Sequence, residues 1–429
     1  MKPHQRQHLQ RIRAQQAAAV VGVDAGKFRH ALVVRRRGEP DSKPLTFATD
    51  RDGFEAAVEY ITAISGGAAP SEVLVGIEFA GYYGFTLAHY LHQGGFQVVS
   101  VLPMHTKANK RIVHGMALKT DQKDAQNITD LVAQGKFTGF PFLRPVYAEL
   151  RYLVSGRERL STLRRGCISR LRTTLHIVWP EFETLFQKQL TKRTPKALLR
   201  AYPGPGDFLA APKRKVLKLL KEASRGHLGL EMYESLRRAA ERTLGLATAQ
   251  GVLREEIVML LDQLAFYEER MKMLEAKMAA LMEPLPEARA LQTIPSLTTV
   301  TAAIFLGSIG DPGTYSSSNE IVALAGLSLR EHSSGVMVGR QRISKSGRPQ
   351  LRQTAYMFAV RSISHDGIYR AAYDRLLARM GKTYKKKALV ALSRDALKLM
   401  FSVARDRRTW TPEPPPPPRR NLALAEASA

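Results

Sequence analysis

Two apolar runs that each end on a carboxylate constrain this chain more than any other feature. AAAVVGVDAGK ends its β-branched stretch on Asp24, and SEVLVGIEFAG ends on Glu78. Each acid stands where a buried strand would emerge from a sheet, and a core strand rarely tolerates a carboxylate without a partner. Further on, LKTDQKDA sets Asp121 and Asp124 three residues apart with helical spacing. Both side chains then project from one face of one turn. Like charges so close repel each other unless a cation lies between them, and a hard divalent ion such as Mg²⁺ suits carboxylate oxygens. Singly, each acid reads as a solvated surface residue or a helix cap. Together, the order strand Asp, strand Glu, helix Asp-x-x-Asp points to one convergent site. Four acids on three segments can form a two-metal arrangement that brackets the attacking and leaving oxygens of a phosphodiester.

The surrounding pattern predicts the sheet that would hold them. Val20–Asp24 and Phe28–Arg35 read as strands joined by a turn at Ala25-Gly26-Lys27, and Lys43–Thr49 as a third strand. Asp50 or Asp52 can cap an amphipathic helix, Phe54–Ile64, that stops at Gly66-Gly67. Glu72–Phe79 is a fourth strand, Tyr83–His92 a helix closed by Gly94-Gly95, and Phe96–Val101 a fifth strand. The order βββαβαβ is that of a ribonuclease-H-like mixed sheet with helices on its faces. His89 and His92 read as packing or surface residues on their helix.

Charge defines the partner class. The formal net charge of +27 calls for a polyanion. Nucleic acid is favoured over a membrane, because no apolar run approaches the roughly 18 residues a spanning helix needs. The polar, basic start MKPHQRQHLQRIRAQQ reads as an arm over 1–18, not as a signal peptide, and the single Cys167 excludes a disulfide framework. Both fit a reducing cytosol. Residues 1–140 hold 17 Lys and Arg against 12 Asp and Glu, whereas 141–300 hold 27 against 17. Phosphate binding is therefore expected to rest on the later segments, with 19–140 supplying metal ligands.

From Arg144 to about Trp179 the chain is basic and helical. Arg151, Arg157, Arg159, Arg164, Arg165, Arg170 and Arg172 meet only Glu149 and Glu158 within the stretch. Arg157, Arg164, Arg165, Arg170 and Arg172 are the expected backbone contacts, with Arg164 and Arg170 governing affinity. Residues 180–245 mix the breaks Pro203-Gly204-Pro205-Gly206 with a basic helix bearing Lys213, Arg214, Lys215, Lys218 and Lys221, one more possible backbone contact. Over 246–285, Ile257, Leu264, Met271 and Met278 recur every seventh residue, with Leu260, Tyr267, Leu274 and Leu281 interleaved. This is a coiled-coil seam, paired within the chain or between subunits, and a role in oligomerisation is favoured.

A mostly helical region over 286–408 carries the second loaded stretch, GLSLREHSSGVMVGRQRISKSGRPQLR. Ser333-Ser334-Gly335 precedes Arg340, Arg342, Lys345, Arg348 and Arg352. These five cations are expected phosphate contacts. A bare Ser-Gly pair is more often a turn than a nucleophile. Residues 409–429, rich in proline, form a tail expected to be extended or disordered.

The motifs VGVDAGK, GIEFAGYYG, KTDQKDA, QTIPSLTTVTAA, ALAGL and HSSG followed by GRQRISKSGRPQLR come in an order that resembles the IS110-type transposases, including their IS1111 branch. The resemblance covers about 18–180 and 288–405. It implies a RuvC-like DEDD domain, a coiled-coil linker and a small, mostly helical C-terminal transposase domain with a catalytic serine. Carried across by motif, the DEDD acids fall on Asp24, Glu78, Asp121 and Asp124, and the serine on Ser334. The chain departs from the family pattern at Leu329, where proline is common, and at Ser296-Leu297-Thr298, where Gly-Ile-Gly is usual.

The resemblance further implies an RNA-guided recombinase. A structured non-coding bridge RNA would pair with target and donor DNA, dimers would assemble into a tetramer, and each site would join the acids of one subunit to the serine of another. Mg²⁺ on the acids and a covalent phosphoserine would lead to strand exchange through a Holliday junction. Two other functions are compatible with the residues: a metal-dependent resolvase or nuclease with water as nucleophile, and a non-catalytic nucleic-acid-binding scaffold.

Overall fold

A computed structural model describes residues 3–79, 83–113, 121–140, 142–187, 189–248, 250–330, 342–365 and 367–412; of 3, 4, 6, 110–113, 121 and 330 it describes the backbone alone. The chain divides into two compact units, Met1–Phe142 and Leu143–Ala429.

In the first unit, α1 (Pro3–Gln16) precedes β1 (Ala19–Ala25), β2 (Arg29–Arg36), β3 (Leu45–Ala48), α2 (Arg51–Ile64), β4 (Val73–Glu78), α3 (Phe85–Gln93), β5 (Gln97–Val101), α4 (Pro103–Val113), α5 (Asp121–Ala133) and β6 (Thr138–Gly139). The six strands form one mixed sheet in the order β3-β2-β1-β4-β5-β6, with β1, β4 and β5 parallel and the others antiparallel to their neighbours. The ribonuclease-H-like order read from the sequence is therefore present, and β6 adds an edge strand that two residues could not announce. Of the two candidate caps, Asp50 is the one used: its carboxylate accepts from the Gly53 N–H at 2.8 Å. The expected basic arm is instead a helix, α1, whose Ala14 is buried in the same core as Val20, Leu74 and Ile128. Its polar sequence hides this, because small alanines provide the packing.

Strand alternation splits the sheet cleanly. Val21, Val23, Val75 and Ile77 face Phe54, Ala57 and Ile61 of α2 and Leu87 and Leu91 of α3. Val20, Leu74, Val99 and Val101 face Ile128, Leu131 and Val132 of α5. His92 stacks on Phe142 with ring centroids 3.8 Å apart, and His89 meets the same ring edge-on at 5.3 Å, so both histidines are packing residues.

The second unit is helical: α6 (Pro145–Val178), α7 (Pro180–Leu185), α8 (Arg193–Ala201), α9 (Pro205–Ala210), α10 (Lys213–Ser224), α11 (Leu230–Glu241), α12 (Gln250–Met282), α13 (Pro286–Gln292), α14 (Thr299–Ile309) and α15 (Ser318–Leu324) come first. A two-stranded ribbon of β7 (Leu329–Arg330) and β8 (Arg342–Ile343) follows, then α16 (Pro349–His365), α17 (Gly367–Met380) and α18 (Lys385–Asp406). The long helices α6 and α12 run antiparallel. One end of the pair, capped by Trp179, joins Phe182, Phe208 and Tyr233 of the 180–245 insert, and the other joins α13 to α18 around Phe305, Phe358 and Phe401. The insert is thus a packed helical subdomain, not a connector. Between α13 and α14, Ser296 takes φ +64°, the left-handed conformation that usually favours glycine.

The heptad seam resolves here. Ile257, Leu260, Leu261 and Leu264 are buried with Cys167, Leu171 and Leu175 of α6, and Met278 with Tyr147, Leu150 and Val154. Ile257, Leu260, Leu264 and Met278 of the expected seam are thus packed against the chain's own α6, whose matching stripe lies hidden among arginines. The proline-rich tail from 413 onward lies outside the described residues.

Candidate active site

Paired glycines position the acids. Gly22 and Gly76 are register partners in the parallel β1–β4 pair, and the next partners on the same face are Asp24 and Glu78. A Cβ on Gly22 would lie 2.3 Å from the Thr129 amide nitrogen and 2.5 Å from the Ala125 carbonyl. On Gly76 it would lie 2.2 Å from Val132 Cγ2. Helix α5 therefore seats its backbone on the sheet in the groove the two glycines leave.

The direction of α5 follows from its anchors. Ala125 packs with Ala31 and Val33, and Ala31 is the register partner of Asp24. Five residues later, Asp130 accepts from Arg35 Nη2 at 2.6 Å, and Arg35 pairs with Val20 at the other end of β1. The helix thus runs against β1, and its N-terminal turn lies toward the strand ends that carry Asp24 and Glu78. That turn holds Asp121 as its first residue and Asp124, buried at 8 % exposure. Asp24 and Glu78, on adjacent strands about 4.8 Å apart, and Asp124 are three of the four expected carboxylates at one edge of the sheet; the Asp121 side chain lies outside those described.

Two networks that no local spacing could reveal hold α5 in this place. Arg35 donates to Asp41 at 2.5 Å and to Asp130, while Gln126 Nε2 donates to Asp41 at 3.0 Å. The hydrogen bond to Asp41 is the main cause that raises the Arg35 pKa. Burial pushes the Asp41 carboxyl up, but Arg35 and Gln126 outweigh it and hold it below its ordinary value. On the opposite side, the Asn109 amide donates to Asn127 Oδ1 at 2.7 Å, and Asn127 Nδ2 donates to the Thr106 carbonyl at 3.1 Å, fixing α4 to α5 through buried amides.

Hard oxygen donors of this kind fit a divalent cation and no softer metal. Among the described residues, no three His, Cys, Asp or Glu side chains stand close enough to hold an ion on their own.

Ser333, Ser334, Gly335 and Arg340 fall in 331–341, outside the described residues, between the two strands of the β7–β8 ribbon. The base of that ribbon is rigidly built. Gly347 lies so close to Leu324 that a Cβ would meet its carbonyl at 2.4 Å, and Arg352 donates to the Ala325 carbonyl at 2.9 Å. Arg348 is held with its pKa pushed down by burial and raised in part by Tyr315. Arg348, whose backbone N–H donates to the Leu324 carbonyl at 2.7 Å, and Arg352 support the ribbon base, whereas Arg342 and Lys345 are exposed on or beside β8.

The arginines of α6 have partners that the linear stretch does not show. Helix α12 supplies acids to three of them: Arg157 pairs with Glu275 at 2.7 Å, Arg164 with Glu268 at 2.9 Å and Arg170 with Glu256 at 2.7 Å. Arg165 pairs with Glu158 at 3.3 Å and Arg172 with Glu183 at 3.0 Å. The partners lie up to 118 residues away, so the linear stretch looked uncompensated. Burial pushes the Glu268 carboxyl up, but Lys196 and Arg164 together hold it below its ordinary value. With its folded pKa depressed, Glu268 contributes stability above the unfolded carboxyl value, and that stability is lost as pH falls through the folded one. Arg164→Gln is accordingly expected to cost about 1 kcal/mol of stability near pH 7, less below pH 4. It should leave the salt dependence of DNA binding unchanged. Thermal melts at both pH values and a binding series in salt check this; a reduced salt slope would restore Arg164 to the interface.

Comparison with known proteins agrees with this arrangement. A family model for IS110-type DEDD proteins, described as Transposase, matches residues 21–180, and one described as Transposase IS116/IS110/IS902 family matches 288–374. The chain is 28% identical over 406 residues to the 44.8 kDa protein of insertion element IS116 from Streptomyces clavuligerus, covering 92% of this chain and 96% of that one. It is 26% identical over 290 residues to the 43.6 kDa protein of insertion element IS110 from Streptomyces coelicolor, covering 67% and 71%. Over 155 residues it is 32% identical to the pilin gene-inverting protein of Moraxella bovis, covering 34% and 47%. The mixed sheet with its strand-end acids and the two matched regions lead to one conclusion: the chain belongs to the IS110 family of transposases, enzymes that act on DNA.

Proposed function

We propose that this transposase cuts and rejoins DNA with Asp24, Glu78, Asp121 and Asp124 as ligands of Mg²⁺ and Ser334 as nucleophile, and that a structured RNA guides it to target and donor. The observation that carries the reading is the in-register pair Asp24 and Glu78 at the edge toward which the acid-bearing turn of α5 points. A divalent cation held there would polarise the scissile phosphate and neutralise charge developing on it. Ser334 Oγ forms a bond to phosphorus as one P–O bond of the strand breaks, its proton passes to solvent, and the departing oxygen is released as a free hydroxyl end. Attack by a hydroxyl end from the other duplex then reforms a phosphodiester and frees the serine. No ATP is consumed, because the phosphoserine bond conserves the energy, and exchange of one strand pair gives a Holliday junction.

Pairing of guide RNA with DNA would supply specificity, as in other RNA-guided systems. Dimers joined into a tetramer would let acids and serine from different subunits meet. The test is strand joining by protein purified with its bound RNA, on labelled donor and target DNA. Joined product is expected, lost after ribonuclease treatment and restored when the extracted RNA is added back. Joining that survives ribonuclease would remove the RNA from the mechanism.

A further inference from the structure

Ion pairing separates the basic surfaces of the second unit into two kinds. Five α6 arginines, Arg157, Arg164, Arg165, Arg170 and Arg172, are ion-paired, as described above. Helix α10 and its C-cap are different: Lys213, Arg214, Lys215, Lys218, Lys221 and Arg225 are all exposed, and among the described residues the single ion pair they make is Lys218–Glu222, at 3.9 Å with both partners mostly in solvent. The opposite face is fixed, since Val216 and Leu220 are buried in the core around Trp179 and Phe208. The helix cannot rotate to redistribute its charge. Arg214, Lys218, Lys221 and Arg225 follow one another at steps of four, three and four residues, which places them in a single line along the outer face. At 1.5 Å per residue the line is about 16 Å long.

We infer that this line of cations on the 180–245 insert is a docking surface for the phosphate backbone of duplex DNA, made of residues other than the acids and the serine. The chemistry selects the partner. Single-stranded nucleic acid is bound with exposed aromatic platforms, and the insert's Phe182, Phe208 and Tyr233 are buried in its core. Recognition of an A-form RNA helix draws on 2′-hydroxyl contacts as well as phosphates, and this line offers chiefly charge. A membrane surface would need apolar side chains among the cations, whereas the inner neighbours Val216 and Leu220 are buried. What remains is a sequence-independent grip on the backbone of the DNA that the family acts upon. The surface lies outside both family-matched regions, 21–180 and 288–374, and does not depend on which group attacks the phosphate.

The test uses the full chain with Arg214→Gln, Lys218→Gln, Lys221→Gln and Arg225→Gln combined, and measures affinity for an arbitrary 30-base-pair DNA duplex between about 50 and 200 mM salt. Four lost phosphate contacts should lower the slope of log affinity against log salt by about three to four, equally for duplexes of unrelated sequence. An unchanged slope overturns the inference. A loss seen with a hairpin RNA and not with the DNA duplex also overturns it, in favour of RNA docking. Should the combined variant melt differently from the parent, Lys218→Gln and Lys221→Gln are measured singly, each expected to lower the slope by about one.

Discussion

Asp24→Asn is expected to reduce DNA strand cleavage by about a thousandfold or more and to abolish stabilisation of the protein by Mg²⁺. Removing one oxygen ligand from a cation that polarises a phosphate forfeits several kcal/mol of transition-state stabilisation, and about 4 kcal/mol is a factor of roughly a thousand. Asn is nearly isosteric with Asp, and Asp24 ends a strand whose ladder bonds are made by the backbone, so the sheet should survive. Cleavage assays give the first result. Melting curves with rising Mg²⁺ give the second: a ligand at about 100 times its dissociation constant stabilises by about 2.7 kcal/mol, and the variant should lose that upward shift. If the variant melts far below the parent without any cation, Asp24 is structural and the catalytic reading of the pair with Glu78 is wrong.

Gly22→Ala should be the most damaging small substitution in the first unit. Its methyl group would lie within 2.5 Å of two backbone atoms of α5, the Thr129 nitrogen and the Ala125 oxygen, neither of which can move without the helix. We expect a loss of about 3 kcal/mol, the upper part of the usual cost of overpacking, together with loss of cleavage, because α5 carries Asp121 and Asp124. Gly76→Ala differs in kind. Its methyl would press on side chains, Val132 Cγ2 at 2.2 Å and Val101 Cγ2 at 3.2 Å, with Val132 by far the closer, so Gly76→Ala combined with Val132→Ala should recover most of the stability. Equal damage from Gly76→Ala with and without the second change would mean that the groove does not seat the helix as described.

The first five strands were legible because each carries its own signal. β-Branched runs, the cap at Asp50 and the Gly66-Gly67 stop are local, and the acids at strand ends mark positions that local rules disfavour. What the sequence hid is non-local. Arg157, Arg164 and Arg170 looked like a nucleic-acid surface because their carboxylates lie on α12, and the heptads of α12 looked like a subunit seam because the matching stripe of α6 is interrupted by those same arginines. Both features have one physical source, the antiparallel pairing of α6 with α12. Likewise, Arg35, Asp41 and Asp130 fix the helix that bears two of the acids, yet nothing in their spacing marks them as a group. Helix α1 was missed for the opposite reason, since it buries only small residues and shows no apolar period.

A denaturing gel tests directly whether Ser334 attacks the DNA. Protein with its bound RNA, Mg²⁺ and labelled DNA carrying the junction is run beside the Ser334→Ala variant. A band of DNA covalently joined to protein, absent from the variant, is the expected result. Cleaved DNA with no joined band, formed equally by the variant, would make water the nucleophile and the chain a metal-dependent nuclease.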